Sequence, residues 1–415
     1  MKGFHRKAHH ALVAVAAGVL ALTLLVGIAS GAPQRRQLTT ITLDTLPIAN
    51  GLPLTLGINK GFFAAQGIEI KSTTLQSGND IVLAMANNQA NIGYIGYVPA
   101  MIGRTTGIPI TIISASDDEG TSAADNWQDI LVKGSSSIQS PAQLAGKTIA
   151  VNALKGVGEV VIRAALKKSG VDPNSVNLVA MTFPTMRTAL NNGQVDAFWA
   201  PEPFVTQGVT LDGDRVVMAP GPVLGKYFPN GCYVARDEWV AQNPQLAKAF
   251  QTAMNQSLAY AQAHPEEIIP LLPAGTPSGI RLPVWSSLID RAQLLQLAQY
   301  AKEFGVITTL PNFTKLISSA IVSGKLLQAT VGPGLFVTLR LNGSVVKTLP
   351  AGSYTISVTD KSAKDNFHIT GKGVNKSTSV AKSQAASWTV KLAKGIYTVT
   401  SDGHPKLLKR TITVT

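Results

Sequence analysis

The sequence predicts an α/β body built in two units, followed by an all-β domain. Three observations carry this reading. From Leu38 the chain alternates short β-branched runs with segments of helical spacing, a second such series starts near Trp127, and helical spacing disappears from Val331. Alternation with short Gly, Asn and Pro joints argues for an α/β fold with a mostly parallel sheet.

In the first unit, residues 38–44 read as a strand, 53–66 as a helix ending before Gly67, and 68–75 as a strand. A helix at 79–88, a strand at 90–95, a helix at 98–105 and a strand at 108–114 complete it. In the second, 129–133, 148–151, 176–181 and 195–199 read as strands. Between them lie a short helix at 141–144 capped by Ser140, an amphipathic helix at 157–169 stopped by Gly170, and a helix at 184–191 opened by Pro184. A strand at 232–235 precedes helices at 244–264, 265–272, 287–304 and 314–322. Beyond Val331, residues 336–341, 352–359, 367–370, 387–392, 395–400 and 410–415 alternate apolar and polar side chains. They are rich in Val, Thr, Ile and Tyr, the pattern of an antiparallel sandwich or Greek-key barrel. Gly332-Pro333-Gly334 reads as the linker before it.

A 415-residue chain with 45% hydrophobic and 14% charged residues is a folded globular chain with room for several domains. Its net charge of +13 resembles a nucleic-acid signal until it is located. Residues 1–37 hold five basic residues and no acid; residues 330–415 hold twelve basic and three acidic, 12 − 3 = +9; the middle, 38–329, holds 19 − 20 = −1. A neutral body is not a nucleic-acid binder. The basic C-terminal module reads either as a contact for an anionic surface, such as lipid headgroups or a cell-wall polymer, or as a solvated face. The single cysteine, Cys232, sits in an apolar strand and reads as a buried, inert thiol.

The N-terminus has the order of a secretory signal: Lys2, Arg6 and Lys7, an apolar run over 11–28, then Ala29, Ser30, Gly31 and Ala32. A signal over 1–31 places the mature chain in the periplasm or outside the cell. The run is long for a signal, so an uncleaved membrane anchor is the alternative. No cysteine follows it, which closes the usual lipid-anchor route.

Five segments, taken in order, resemble the substrate-binding proteins of nitrate, sulfonate, taurine and thiamine-precursor ABC importers. They are LGINKGFFAAQGI at 56–68, NNQANIGYIGY at 87–97, IQSPAQLAGKTIA at 138–150, TALNNGQVDAFW at 188–199, and Pro201-Glu202-Pro203. The resemblance spans about 40–325. It implies a type 2 periplasmic-binding-protein fold with the ligand between two lobes, lobe 1 being 38–126 plus 226–325 and lobe 2 being 127–225. It also implies a monomer that takes no cofactor, performs no catalysis, and presents a small polar or anionic organic solute to an ABC permease. Ligands of such folds sit beyond the carboxyl ends of parallel strands, where helix N-termini converge. The candidate ligand-binding residues are therefore Asn50, Ser77, Gly78, Asn79, Tyr97, Val98, Gly156, Val157, Gly158, Trp199 and Glu202. Each also has a plainer role as turn, cap or core residue. Many sulfonate binders of the family carry hydroxyl residues at the helix start where Val157 stands, which argues against a sulfonate.

Residues 331–415 resemble a cupredoxin-like domain through Asn366-Phe367-His368, Trp388-Thr389-Val390, Gly395-Ile396-Tyr397 and Ser401-Asp402-Gly403-His404. The resemblance puts His368 and His404 at histidine positions of a copper site. Ser401 stands at the thiolate position, and Leu407 and Leu408 where a methionine would be. A blue-copper centre needs the thiolate, so these are vestigial positions and no metal is expected. Two rivals remain at this level. One is an enzyme, since a relative of the fold makes a thiamine precursor using a cysteine-rich segment; this chain has one cysteine and no Gly-x-Ser-x-Gly turn. The other is a surface sensor or attachment protein that reuses the binding fold.

Overall fold

The computed structural model describes residues 38–319, 325–341 and 344–415. The expected signal lies outside them. Alternation of β-branched and polar residues sets β1 (Thr39–Thr45), β2 (Ile68–Thr74), β3 (Ile92–Gly96) and β4 (Ile110–Asp118). The chain then crosses into β5 (Gln128–Val132), β6 (Thr148–Val151), β7 (Asn177–Ala180), β8 (Ala197–Pro201) and β9 (Arg215–Met218). It returns through β10 (Pro229–Arg236) and the short β11 (Val284–Trp285). The first sheet has the order β11-β4-β10-β3-β1-β2 and the second β7-β6-β8-β5-β9.

Neither sheet is mostly parallel, as the alternation led us to expect. β1 runs parallel to β2 and β3, and β6 to β7 and β8, but β10 is antiparallel to β3 and β4 and β5 is antiparallel to β8 and β9. β5 and β10 are the strands that carry the chain between the sheets. Each arrives from the other sheet and not by a βαβ return within its own, so nothing forces it parallel.

The helices are α1 (Leu52–Asn59), α2 (Phe62–Ala65), α3 (Gly78–Ala86), α4 (Tyr97–Thr105), α5 (Val157–Lys168), α6 (Phe183–Asn191), α7 (Phe204–Gln207) and α8 (Pro220–Leu224). α9 (Asp237–Gln242), α10 (Pro244–Ala263), α11 (Arg291–Glu303) and α12 (Phe313–Leu316) follow. Several differ from the sequence pattern for local reasons. The helix expected over 53–66 breaks at Gly61, whose φ of +76° ends α1 and caps α2. The 265–272 segment is two 3-10 turns, because Pro265 and Pro270 each deny a backbone donor. The 287–304 helix starts only at Asp290, whose carboxylate accepts from the N–H groups of Ala292 and Gln293. The 314–322 helix is a single turn, after which Ile317 bridges to β4; its end lies outside the described residues.

One apolar cluster runs from Ile95 and Met101 of the first sheet side to Val160, Ile162 and Phe198 of the second. A second cluster fills the space between β1, β3 and α10, centred on Phe63, Tyr233 and Phe250. Cys232 is wholly buried in β10, and burial pushes its thiol well up.

The C-terminal module begins earlier than the change of texture implied. β12 (Lys325–Val331) pairs with β13 (Val337–Leu341), so Gly332-Pro333-Gly334 is the turn of a hairpin and not a linker. Adjacent leucines at 326 and 327 mask the alternation in this strand. β14 (Ser344–Val345), β15 (Thr348–Leu349), β16 (Gly352–Asp360), β17 (His368–Gly371), β18 (Val374–Ser377), β19 (Gln384–Leu392), β20 (Gly395–Thr400) and β21 (Lys409–Val414) complete it. The two sheets are β14-β13-β12-β16-β19 and β15-β21-β20-β17-β18. They share one core that includes Leu327, Ile356, Phe367, Tyr397 and Ile412. The module is not wholly antiparallel: β12 pairs parallel with β16, and β15 with β21. It packs through β16 and β19 on α10, and the Tyr227 hydroxyl donates to Gln328 Oε1 at 2.8 Å.

α1 lies against α10 at Gly57, where an added Cβ would stand 1.8 Å from Ser257 Oγ and 2.8 Å from its Cβ. Gly57→Ala is therefore expected to cost about 1–3 kcal/mol by overpacking. Ser257→Gly in the same chain should return part of that loss in a denaturant melt.

Candidate functional site

A cavity of about 40 Å³ lies between the two α/β sheets. The first sheet side supplies Leu46 and Ile48 after β1, Gly78 and Asn79 at the start of α3, Tyr94 and Gly96 on β3, and Asn230 on β10. The second supplies Trp127, Gln128, Asn152, Gly156, Val157, Phe183 and Trp199. Among the described residues no Lys, Arg or His lines it. Two helix starts do: α3 at Gly78, and α5 at Gly156 and Val157, whose N-cap Gly156 makes no side-chain cap bond. Their first-turn N–H groups carry partial positive charge.

The two sides meet directly. Asn79 Nδ2 donates to the Leu154 carbonyl at 3.2 Å, and Asn152 Nδ2 donates to the Gln76 carbonyl at 3.3 Å. Gly96 leaves room for Val157, whose Cγ2 would lie 2.2 Å from a Cβ placed there. Trp199 forms one wall, 4% exposed, tilted against Phe183 at a ring separation of 6.3 Å. Its Nε1 is buried without a protein acceptor among the described residues. Gly158 lets α5 pass close to that indole, since a Cβ there would lie 2.7 Å from the ring.

Behind the cavity Asp117 gathers three donors. Asn50 Nδ2 reaches its Oδ1 at 2.6 Å, Asn230 Nδ2 the same atom at 2.8 Å, and the Tyr94 hydroxyl its Oδ2 at 2.7 Å. Gln128 Nε2 donates to Glu119 Oε1 and to Asn230 Oδ1. Burial pushes the carboxyls of Asp117, Asp118 and Glu119 up, the last two well above the usual range. At the chain crossing, Arg281 stands between two fully buried carboxylates, 2.8 Å from Asp129 Oδ2 and 3.5 Å from Glu202 Oε1.

A family profile described as NMT1/THI5 like matches residues 49–268, more than half of the chain. The chain belongs to the NMT1/THI5-like family. Among curated relatives in that family, the taurine-binding periplasmic protein of Escherichia coli (strain K12) is 25% identical over 292 residues, covering 63% of this chain and 86% of that protein. A protein named 4-amino-5-hydroxymethyl-2-methylpyrimidine phosphate synthase THI13, from Saccharomyces cerevisiae, is 22% identical over 239 residues, 54% of this chain and 67% of its own. The alkanesulfonate-binding protein SsuA from Xanthomonas axonopodis pv. citri, solved with MOPS, superposes with a TM-score of 0.56 at 18% identity, over 67% of this chain and 98% of that one. The periplasmic-binding-protein α/β fold follows from that superposition.

Within this NMT1/THI5-like chain, five candidates from the sequence wall the cavity: Gly78, Asn79, Gly156, Val157 and Trp199. Gly158 stands behind Trp199. The other five do not reach the cavity. Asn50 is spent on Asp117, which itself lies behind the cavity, and the Asn50 carbonyl accepts from Trp285 Nε1. Ser77 is consumed as the cap of α3: its hydroxyl accepts from the Asp80 N–H and donates to Asp80 Oδ2. Tyr97 and Val98 point into the apolar cluster. Glu202 accepts from the Thr206 N–H and hydroxyl and pairs with Arg281.

Sequence reasoning missed Tyr94, Trp127, Gln128, Asn152, Phe183 and Asn230. A period-of-two reading of β3 puts Tyr94 and Gly96 on one face. The run Asp117-Asp118-Glu119 closing an apolar strand was a further visible sign of a built polar site.

In the C-terminal module, His404 Nδ1 lies 2.6 Å from Asp365 Oδ1, and the Ser401 hydroxyl donates to the same oxygen at 2.8 Å. His368 is held on both ring nitrogens, 2.7 Å from Asp402 and 2.8 Å from Asn375.

Burial pushes Asp129 to about 6 from an ordinary 3.8, against the pull of Arg281. The folded state therefore takes up this proton before the unfolded chain does, and stability from this group rises as pH falls from about 6 towards 4. Arg281→Met is expected to cost about 3–5 kcal/mol near pH 7, where Asp129 and Glu202 lose their counter-charge. In melts repeated at about pH 5 the deficit should shrink as Asp129 takes up its proton.

Proposed function

We propose that this protein is an extracytoplasmic receptor that captures a small polar or anionic organic solute in the cavity and hands it, unaltered, to an ABC importer. The cavity carries this reading: it is walled by both α/β sheets and shut by Asn79 and Asn152, each reaching across to the other side. A guest held there bridges two lobes, 38–126 with the return segment from 226, and 127–225. Hinge closure around it gives the importer a form to recognise. The N–H groups at the starts of α3 and α5 and the free Trp199 Nε1 are donors suited to an oxyanion or carbonyl. The walls of Trp127, Phe183 and Trp199 suit a flat or apolar remainder. A relative named for taurine binding supports such a guest. No nucleophile paired with a base lines the cavity among the described residues, which favours carriage over the chemistry of the synthase-named relative.

Residues 1–31 fit export, by a cleaved signal or a retained anchor. Among the described residues no helix is long and apolar enough to cross a membrane. The strand order of the C-terminal sheets supports a cupredoxin-like reading of that module, with Ser401 in place of the thiolate. We assign this basic module to attachment at an anionic surface. That also sustains a second reading, an attachment or sensor protein that reuses the fold.

Solute should stabilise the protein by about 2.7 kcal/mol at a hundredfold excess over Kd. A thermal-shift screen of sulfonates, nitrate, taurine, pyrimidines, aromatic acids and amines reads this directly. Silence across the set would refute solute capture. Trp199→Phe keeps the wall and removes one donor, so it is expected to weaken the best hit roughly tenfold without lowering the solute-free melting temperature.

A further inference from the structure

The C-terminal module gathers three of its loops at one end. An added Cβ on Gly332 would meet Ser362 at 3.2 Å, one on Gly403 would meet the Lys364 carbonyl at 2.0 Å, and Arg410 Nε donates to the Val337 carbonyl at 3.1 Å. Turn 332–336, loop 361–366 and loop 401–408 therefore form one surface. Leu335 is 60% exposed there, Phe336 37% and Leu407 70%. A single exposed leucine needs no explanation; three large apolar side chains on adjoining loops do.

The charge around them is mostly positive. Lys361, Lys364, Lys406, Lys409 and Arg410 are exposed on these loops and the strand start beside them. Of the acids, Asp360 and Asp365 are buried, Asp365 beside His404, and Asp402 is spent on His368. Other exposed apolar residues of the module, such as Ile396 at 68%, lie away from these loops, next to Gly395 and opposite Thr413.

We propose that this loop end docks on an anionic lipid surface, with Leu335, Phe336 and Leu407 entering the headgroup region and the five cations meeting lipid phosphates. The inference rests on the attachment reading of the module and names its partner. An anionic polymer would satisfy the lysines alone. Only a bilayer offers both the phosphates and an apolar phase for three side chains at the same face. Such docking would hold the receptor at a membrane without a lipidated cysteine.

The test uses the chain from Leu38 onward, which contains all three apolar cores, and phosphatidylcholine vesicles with or without phosphatidylglycerol. The protein should sediment with the mixed vesicles and not with phosphatidylcholine alone. Leu335→Ser with Leu407→Ser should abolish sedimentation. Lys406→Glu with Lys409→Glu should weaken it roughly tenfold or more, and Ile396→Ser should leave it unchanged. Phe336→Trp should add an emission band that shifts to the blue on the mixed vesicles. All these positions are exposed, so each variant should keep the parent melting temperature. Sedimentation that survives the double leucine variant, with no blue shift from Phe336→Trp, overturns this docking face while leaving attachment intact. Binding to soluble polyphosphate but not to vesicles overturns the lipid assignment alone. Binding to neither overturns both.

Discussion

Arg281 links two buried carboxylates that belong to the other half of the α/β body, and the geometry of the cleft depends on that link. Asp129 is the second residue of β5 and Glu202 follows β8, while Arg281 arrives from the long return segment after α10. Charges buried this deeply are tolerated only when paired, so the crossing is held in one arrangement. From that point Glu202 receives Thr206 and Asp117 collects Asn50, Tyr94 and Asn230. The floor of the cavity is thus a fixed polar scaffold. Its rim is different in kind: two amide-to-carbonyl bonds, Asn79 to Leu154 and Asn152 to Gln76, both long and outside the core.

That contrast explains how a rigid fold could serve a moving function. A stiff floor keeps Trp199, Asn230 and Tyr94 in register with one another. The rim's own two bonds add little to hold the sides together, and a guest that contacts both sides shifts the balance towards closure. The apolar cluster continuing from α4 into α5 adds to the closed form. Among the described residues the cavity presents no side-chain cation, so any negative charge on the guest would be met by helix starts and an indole N–H. Such donors fix orientation without the desolvation cost of a buried lysine.

Much of the α/β body was legible in the sequence, because period and punctuation agree there. Gly67, Gly170 and Pro184 fall where helices stop or start, and α3, α5 and α6 follow within a residue or two. Helix starts at Gly78 and Gly156 were legible for the same reason. What was not legible depends on long-range pairing. Whether β5 and β10 run with or against their neighbours follows from the crossing of the chain, which no local pattern records. Glu202 looks like a ligand group in sequence because Arg281, its counter-charge, arrives from a distant segment, whereas Ser77 proves to be a plain cap on its neighbour Asp80. Tyr97 looked like a ligand group because it begins a helix, yet it faces the core, and the strand residue Tyr94 faces the cavity. β12 was hidden by its paired leucines, and with it the true start of the β module.

The most direct test is a distance. Leu83 on α3 and Val209 beyond α7 are 58% and 43% exposed, and lie on opposite halves of the body. Spin labels at cysteines placed there, with Cys232 protected by burial, report the separation of the halves by pulsed electron resonance. If a guest is trapped by closure, a solute that raises the melting temperature should narrow a broad distribution and move it to shorter distances. An identical, single distance with and without a bound solute would contradict it.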